Sequence, residues 1–136
     1  MSLADEALGL APNDPTVLGY CGIAASWIGE AAKGIGYLER SLVLNPNNGN
    51  VQIALGFAFW TASEPQQGLN KLLIYIECLP KDPSTAMAIF FVSFCQLGLR
   101  NYHESETAAR VYKALLRLCM GLPDNGDVTF SNGSRC

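Results

Sequence analysis

Three stretches, LGLAPNDP at residues 8–15, LVLNPNNG at 42–49 and IECLPKDP at 76–83, are copies of one junction repeated every 34 residues. Pro12, Pro46 and Pro80 carry the interval, and so do Asp14, Asn48 and Asp82, and Leu8, Leu42 and Ile76. Proline cannot continue a helix and turns its predecessor away from helical backbone, while Asp and Asn supply oxygens that cap helix N-termini. Each junction therefore closes one helix and opens the next. A second break falls inside each unit, at 28–30 around Gly29, at 63–65 before Pro65 and at 97–101 around Gly98, so two helices per unit are predicted.

Apolar spacing between the breaks agrees with helix. Over 50–62, Ile53, Gly56, Phe57 and Trp60 form one stripe and Val51, Leu55 and Ala58 another, the pattern of a helix covered on two sides. Helices over 31–44 and 66–78 carry single stripes, Ile35, Leu38 and Leu42 in one and Leu69, Leu72, Leu73 and Ile76 in the other. Each has one wet side. Gly22 with Gly34, and Gly56 with Gly68, recur at the same step where the two helices of a unit would cross. A missing Cβ there lets two backbones approach, and the packing gained offsets the roughly 1 kcal/mol that a mid-helix glycine costs against alanine.

With a unit counted from Pro15, the residues Leu18, Cys21, Gly22, Ala25, Gly34, Leu38, Ser41 and Pro46 resemble the tetratricopeptide repeat. The next unit matches through Leu55, Gly56, Phe59, Gly68, Leu72, Tyr75 and Pro80. The third departs, with Phe90 at the small-residue position and LGLRNYHES at 97–105 read as carrying one or two extra loop residues. The resemblance covers residues 3–119 and implies an all-α, right-handed α-solenoid. Residues 1–12 would be the second helix of an incomplete repeat, followed by repeats at 13–46 and 47–80 and a divergent one at 81–119. Residues 120–136, polar, rich in Gly and Asn and without periodicity, read as a disordered tail.

The resemblance also implies a concave groove lined by the first helix of each unit. Carried over position by position, it falls on Ile23, Trp27, Ile53, Phe57, Trp60, Met87 and Phe91, with Cys95 and Gln96 further along the third unit. The groove is apolar and aromatic, and lacks the Lys and Arg with which some family members clamp an acidic carboxylate. Two readings stay open: an apolar helix or extended segment of a partner protein fills the groove, or the chain's own missing sections or self-association do. The segments 38–48 and 82–105 are loosely similar to repeats appended to bacterial signalling proteins such as nucleotide cyclases and winged-helix regulators.

Composition narrows the function classes. The 136 residues fit one domain, and 49% hydrophobic with only 15% charged residues argues against disorder and for dry surfaces. A net charge of -3 lacks the positive field that nucleic acid requires. Cys21, Cys78, Cys95, Cys119 and Cys136 are odd in number and form no CxxC, so neither a disulfide framework nor a zinc site is encoded, and most read as reduced, buried hydrophobes. Cys136 stands near the end as a candidate reactive thiol, and NGS at Asn132 reads as a chance acceptor motif.

Asp5 and Glu6 replace the positive charge of an export signal, and the longest uncharged apolar run, 84–99, falls short of the roughly 20 residues that span a bilayer. A cytoplasmic chain without a membrane span is expected. The single histidine, His103, opens a helix beside Glu104 and Glu106, acids that suit a helix N-terminus. Arg110, Lys113 and Arg117 share one face of the last helix as a solvated flank, with an acidic partner as the alternative. No phosphate loop, nucleophile elbow or metal-spaced cluster is present. The expectation is a non-enzymatic protein-interaction or scaffold module without cofactor, metal or catalytic residues. The alternatives are a stand-alone self-associating assembly factor and an enzyme with a cryptic site.

Overall fold

The computed structural model describes residues 2–79 and 81–121. Pro80, the tail from 122 onward, Asn132 and Cys136 lie outside the described residues. Among those described there are seven helices and no strand, and the chain is all-α. They are α1 (Leu3–Leu10), α2 (Pro15–Trp27), α3 (Ala31–Leu44), α4 (Gly49–Thr61), α5 (Pro65–Cys78), α6 (Thr85–Gly98) and α7 (Tyr102–Cys119).

The junction residues act as their chemistry requires. Ser2 accepts from the Asp5 amide at 3.2 Å and the Asp5 carboxylate returns to Ser2, a capping box that starts α1. Asp14 accepts from the amides of Thr16 and Val17 at 2.8 and 3.1 Å, and Asn48 accepts from Val51 at 3.3 Å. Pro15 and Pro65 occupy first turns, where the missing N–H leaves no bond unmade.

The chain turns within each hairpin in one way. Gly29, Ser63 and Arg100 have φ of 91°, 61° and 62°. The next amide in each case, from Glu30, Glu64 or Asn101, reaches back to the carbonyl of Ala25, Phe59 or Gln96 at 2.9 Å. This is the Schellman closure, in which a left-handed residue lets the chain recover two orphan carbonyls. Ser63 and Arg100 hold a backbone region that favours glycine. The third loop is Leu99 to Asn101, the same length as the other two, which corrects the longer loop read from LGLRNYHES.

The extra residues of the third unit lie upstream. The left-handed residues stand 34 and then 37 apart. Six residues connect α5 to α6 where four connect α3 to α4, and α6 is one residue longer than α4. Local bonds tie the longer connection down. Asp82 accepts from the Ser84 amide at 2.8 Å, and the buried Thr85 hydroxyl donates to the Leu79 carbonyl at 2.7 Å.

Packing follows the hairpins α2–α3, α4–α5 and α6–α7. Each second helix packs on the next first helix, α4 also packs on α2 and on α6, and α1 rests on α2. Leu38, Val51, Leu55, Ala58 and Phe59 form one core cluster; Ile53, Leu69, Leu72, Tyr75, Ala88, Val92 and Cys95 form the other. Helix α4 feeds both, so burial on two sides gives its second apolar stripe a physical reason.

The hairpin crossings need small residues. A Cβ on Gly34 would lie 2.8 Å from the Gly22 carbonyl oxygen, and one on Gly68 would lie 2.6 Å from that of Gly56. In the third hairpin the equivalent pair is Ser93 and Ser105, seven residues before and five after the left-handed residue. Phe90 is therefore not the replacement for the small residue. The three-residue shift moves that position to Ser93, and Phe90 instead packs on Tyr112 at 4.8 Å between ring centroids.

Candidate functional site

The first helices α2, α4 and α6 present a row of aromatic rings. Trp27 and Phe57 lie 4.7 Å apart between centroids, Phe57 and Phe91 5.1 Å, Phe57 and Trp60 5.8 Å. Trp60 stacks on Phe94 at 5.2 Å. These spacings favour offset and tilted ring pairs, so the row is self-supporting. It exists because helical steps of three and four repeat on α4 and α6 and because α4 packs beside both α2 and α6.

Two open cavities flank the row. One of about 520 Å³ contains Ile23, Trp27, Ile53, Phe57, Met87 and Phe91 in its lining, and one of about 450 Å³ contains Trp27, Phe57, Trp60 and Phe91. All seven groove residues named from the sequence thus meet in one trough. Their roles differ. Ile53 and Phe57 are buried and form the floor; Ile23, Trp60 and Phe91 are half-buried; Trp27 and Met87 are 66% and 45% exposed and stand as rims.

Cys95 is corrected. The residue is fully buried, beneath Leu69 and Leu72 and 3.2 Å from the position of a Gly68 Cβ, and burial pushes its thiol up to about 11. The three added residues rotate it off the groove and into the core. Gln96 turns instead to the end of its hairpin, where its side chain accepts from Asn101 at 2.9 Å.

Several lining residues escaped the sequence reading. Phe90 and Phe94 join the smaller cavity, and Tyr112, Leu116 and Cys119 of α7 close one end of the larger. The signal for the first two is the 37-residue step. For Leu116 and Cys119 it is the length of α7, 18 residues against 14 in α3 and α5, whereas Tyr112 falls within its first 14 residues and carries no such signal.

The larger of these two cavities carries few hydrogen-bonding side chains, Asn50, Ser84, the phenol of Tyr112 and the indole of Trp27 among them, and no charged residue lines it. Such a lining is complementary to apolar surface. A third cavity, of about 720 Å³, opens between α3, α4 and α5 and mixes Lys71 and Asp82 with Leu42, Leu55 and Ile74. At its edge the Tyr75 hydroxyl is buried and finds no hydrogen-bond partner among the described residues, and burial, with Asp82 adding to it, raises its pKa.

Among the described residues no group of three or more His, Cys, Asp or Glu side chains gathers as a metal site, and no helix is long and apolar enough to cross a membrane. No protein-family model, curated protein or solved structure matches this chain.

Proposed function

We propose that this chain is a non-enzymatic protein-interaction or scaffold module of tetratricopeptide-like repeats, stacked as a right-handed α-solenoid. Its first-helix trough takes an apolar helix or extended segment of a partner protein. The observation that carries the reading is the continuous row Trp27, Phe57 and Phe91 between two apolar cavities, with Trp27 and Met87 exposed at its rim. Aromatic anchors in desolvated hollows are where interfaces concentrate their binding energy, and an amphipathic helix laid in an apolar groove is a common form of peptide recognition. The loose similarity to repeats in bacterial signalling proteins supports a regulatory, cytoplasmic setting within a larger protein.

The test is selection of a displayed random-peptide library on the wild-type protein and on a Trp27→Ser/Met87→Ser variant. Both changes are at exposed rims, so folding is preserved while the trough loses its anchors. The reading expects enrichment of peptides with apolar residues at helical spacing, and at least tenfold weaker binding of those peptides by the variant. Peptides that bind both proteins equally, or enrichment of acidic termini in place of apolar residues, would sink it.

A further inference from the structure

We infer that the outer face of α7 is a self-complementary interface that joins two copies of this chain, antiparallel, about a twofold axis near Ala109. This face shares only Leu116 with the lining of the trough. Tyr102, Glu106, Ala109, Lys113, Leu116 and Met120 follow one another at steps of four and three, and at helical pitch all six lie within about 40° of a single line. All six are exposed, and no residue of α7 is buried.

The charges on this face are out of place for a stacked repeat. Counted from the left-handed turn residue, Glu106 and Lys113 stand where α3 has Ile35 and Leu42 and where α5 has Leu69 and Ile76. Those four residues pack into the core clusters beneath the next first helix. A further helix seated in the same way on α7 would take both charges out of water with nothing opposite them, which burial penalises heavily.

A second α7 satisfies both. Reversal about Ala109 sets Glu106 against Lys113 of the second copy, three residues before the axis against four after it, and the same contact recurs on the other side. Tyr102 then meets Leu116, seven residues before against seven after. Ala109 meets Ala109, and its small side chain lets the helices approach to the 8–10 Å typical of packed pairs. The same patch thus serves both copies, as a twofold interface demands. Glu106 already accepts from Arg110 of its own helix, a surface pair that neutralises Arg110 close to the axis. The second carboxylate oxygen remains for the incoming lysine.

Sedimentation over a wide concentration range tests this with charge reversals at exposed positions, Leu116 being left intact because it also borders the cavity of about 520 Å³. The wild type is expected to dimerise reversibly. Glu106→Lys and Lys113→Glu should each weaken dimerisation about tenfold or more, and the double reversal should restore it. A wild type that stays monomeric, single reversals without effect, or a double reversal no better than the singles would overturn the proposal. Association lost in Trp27→Ser but kept in the α7 reversals would place self-association in the trough and overturn it equally.

Discussion

The Ser105 hydroxyl donates a 2.8 Å hydrogen bond to the Ser93 carbonyl oxygen, at the crossing where the two earlier hairpins set glycine beside glycine. In those hairpins the carbonyl meets empty space left by a missing Cβ; in the third a small polar side chain fills the space and bonds to it. Gly68→Ala therefore overpacks a backbone contact, since the new carbon would sit 2.6 Å from the Gly56 oxygen. Overpacking of this kind costs about 1–3 kcal/mol, more than the roughly 1 kcal/mol that alanine gains in helix propensity. Thermal unfolding should show a lower midpoint for Gly68→Ala, and an unchanged or raised one would mean that α4 and α5 do not cross as closely as described.

Gly36 gives the opposite sign. The residue lies on the exposed side of α3, and a Cβ there meets nothing within 4 Å. Alanine reduces the freedom of the unfolded chain without a clash, and should stabilise by about 0.4–1 kcal/mol. Urea titration of Gly36→Ala beside Gly68→Ala separates propensity from packing, because both sites are helical glycines and only the surroundings differ.

What could be read from the sequence divides along local and non-local physics. The junctions, the two helices per unit and the two-sided burial of α4 were legible, because capping, proline geometry and apolar period act over a few residues. Gly22 and Gly34 were legible as a crossing because the same pair recurs at Gly56 and Gly68. The third crossing was not. Its three extra residues are split between a connection and a helix, and a strict 34-residue step lands on Phe90 instead of Ser93. The same slip put Cys95 on the groove instead of in the core. Arg100 hid the third turn, since neighbouring Gly98 is the residue expected at a left-handed position. Gly98 instead ends α6 close against Pro65, 3.2 Å from where its own Cβ would be.

Trp27 and Phe57 touch ring to ring, yet their truncation should cost very different amounts. Phe57 is buried between α2 and α6, and removal of a core phenylalanine costs about 3–5 kcal/mol. Trp27 is 66% exposed, and its loss should change stability by less than about 1 kcal/mol. Urea unfolding of Phe57→Ala and Trp27→Ala, followed by circular dichroism, compares them. Equal losses would make Trp27 a structural residue and remove it from the rim of the trough.

The cysteines report the fold through their reactivity and its pH dependence. Cys78 and Cys119 are exposed, while Cys95 and Cys21 are buried, with burial as the main cause of their raised thiol pKa. Among the described cysteines, a thiol reagent at neutral pH should label Cys78 and Cys119 first, and should reach Cys95 only after denaturation, because the thiolate is the reacting form. The same shift couples to stability. An unfolded chain ionises Cys95 near 9.0 and the folded chain near about 11, so above pH 9 the unfolded state releases its proton first. Stability contributed by the neutral thiol is intact below about pH 9 and falls as pH rises toward 11. Tyr75, raised by burial from 10.0, pulls the same way at higher pH. Urea midpoints from pH 8 upward should therefore fall in the wild type and fall less steeply in Cys95→Ala. An identical slope in the two proteins would mean that Cys95 ionises freely in the folded state and does not lie in the core.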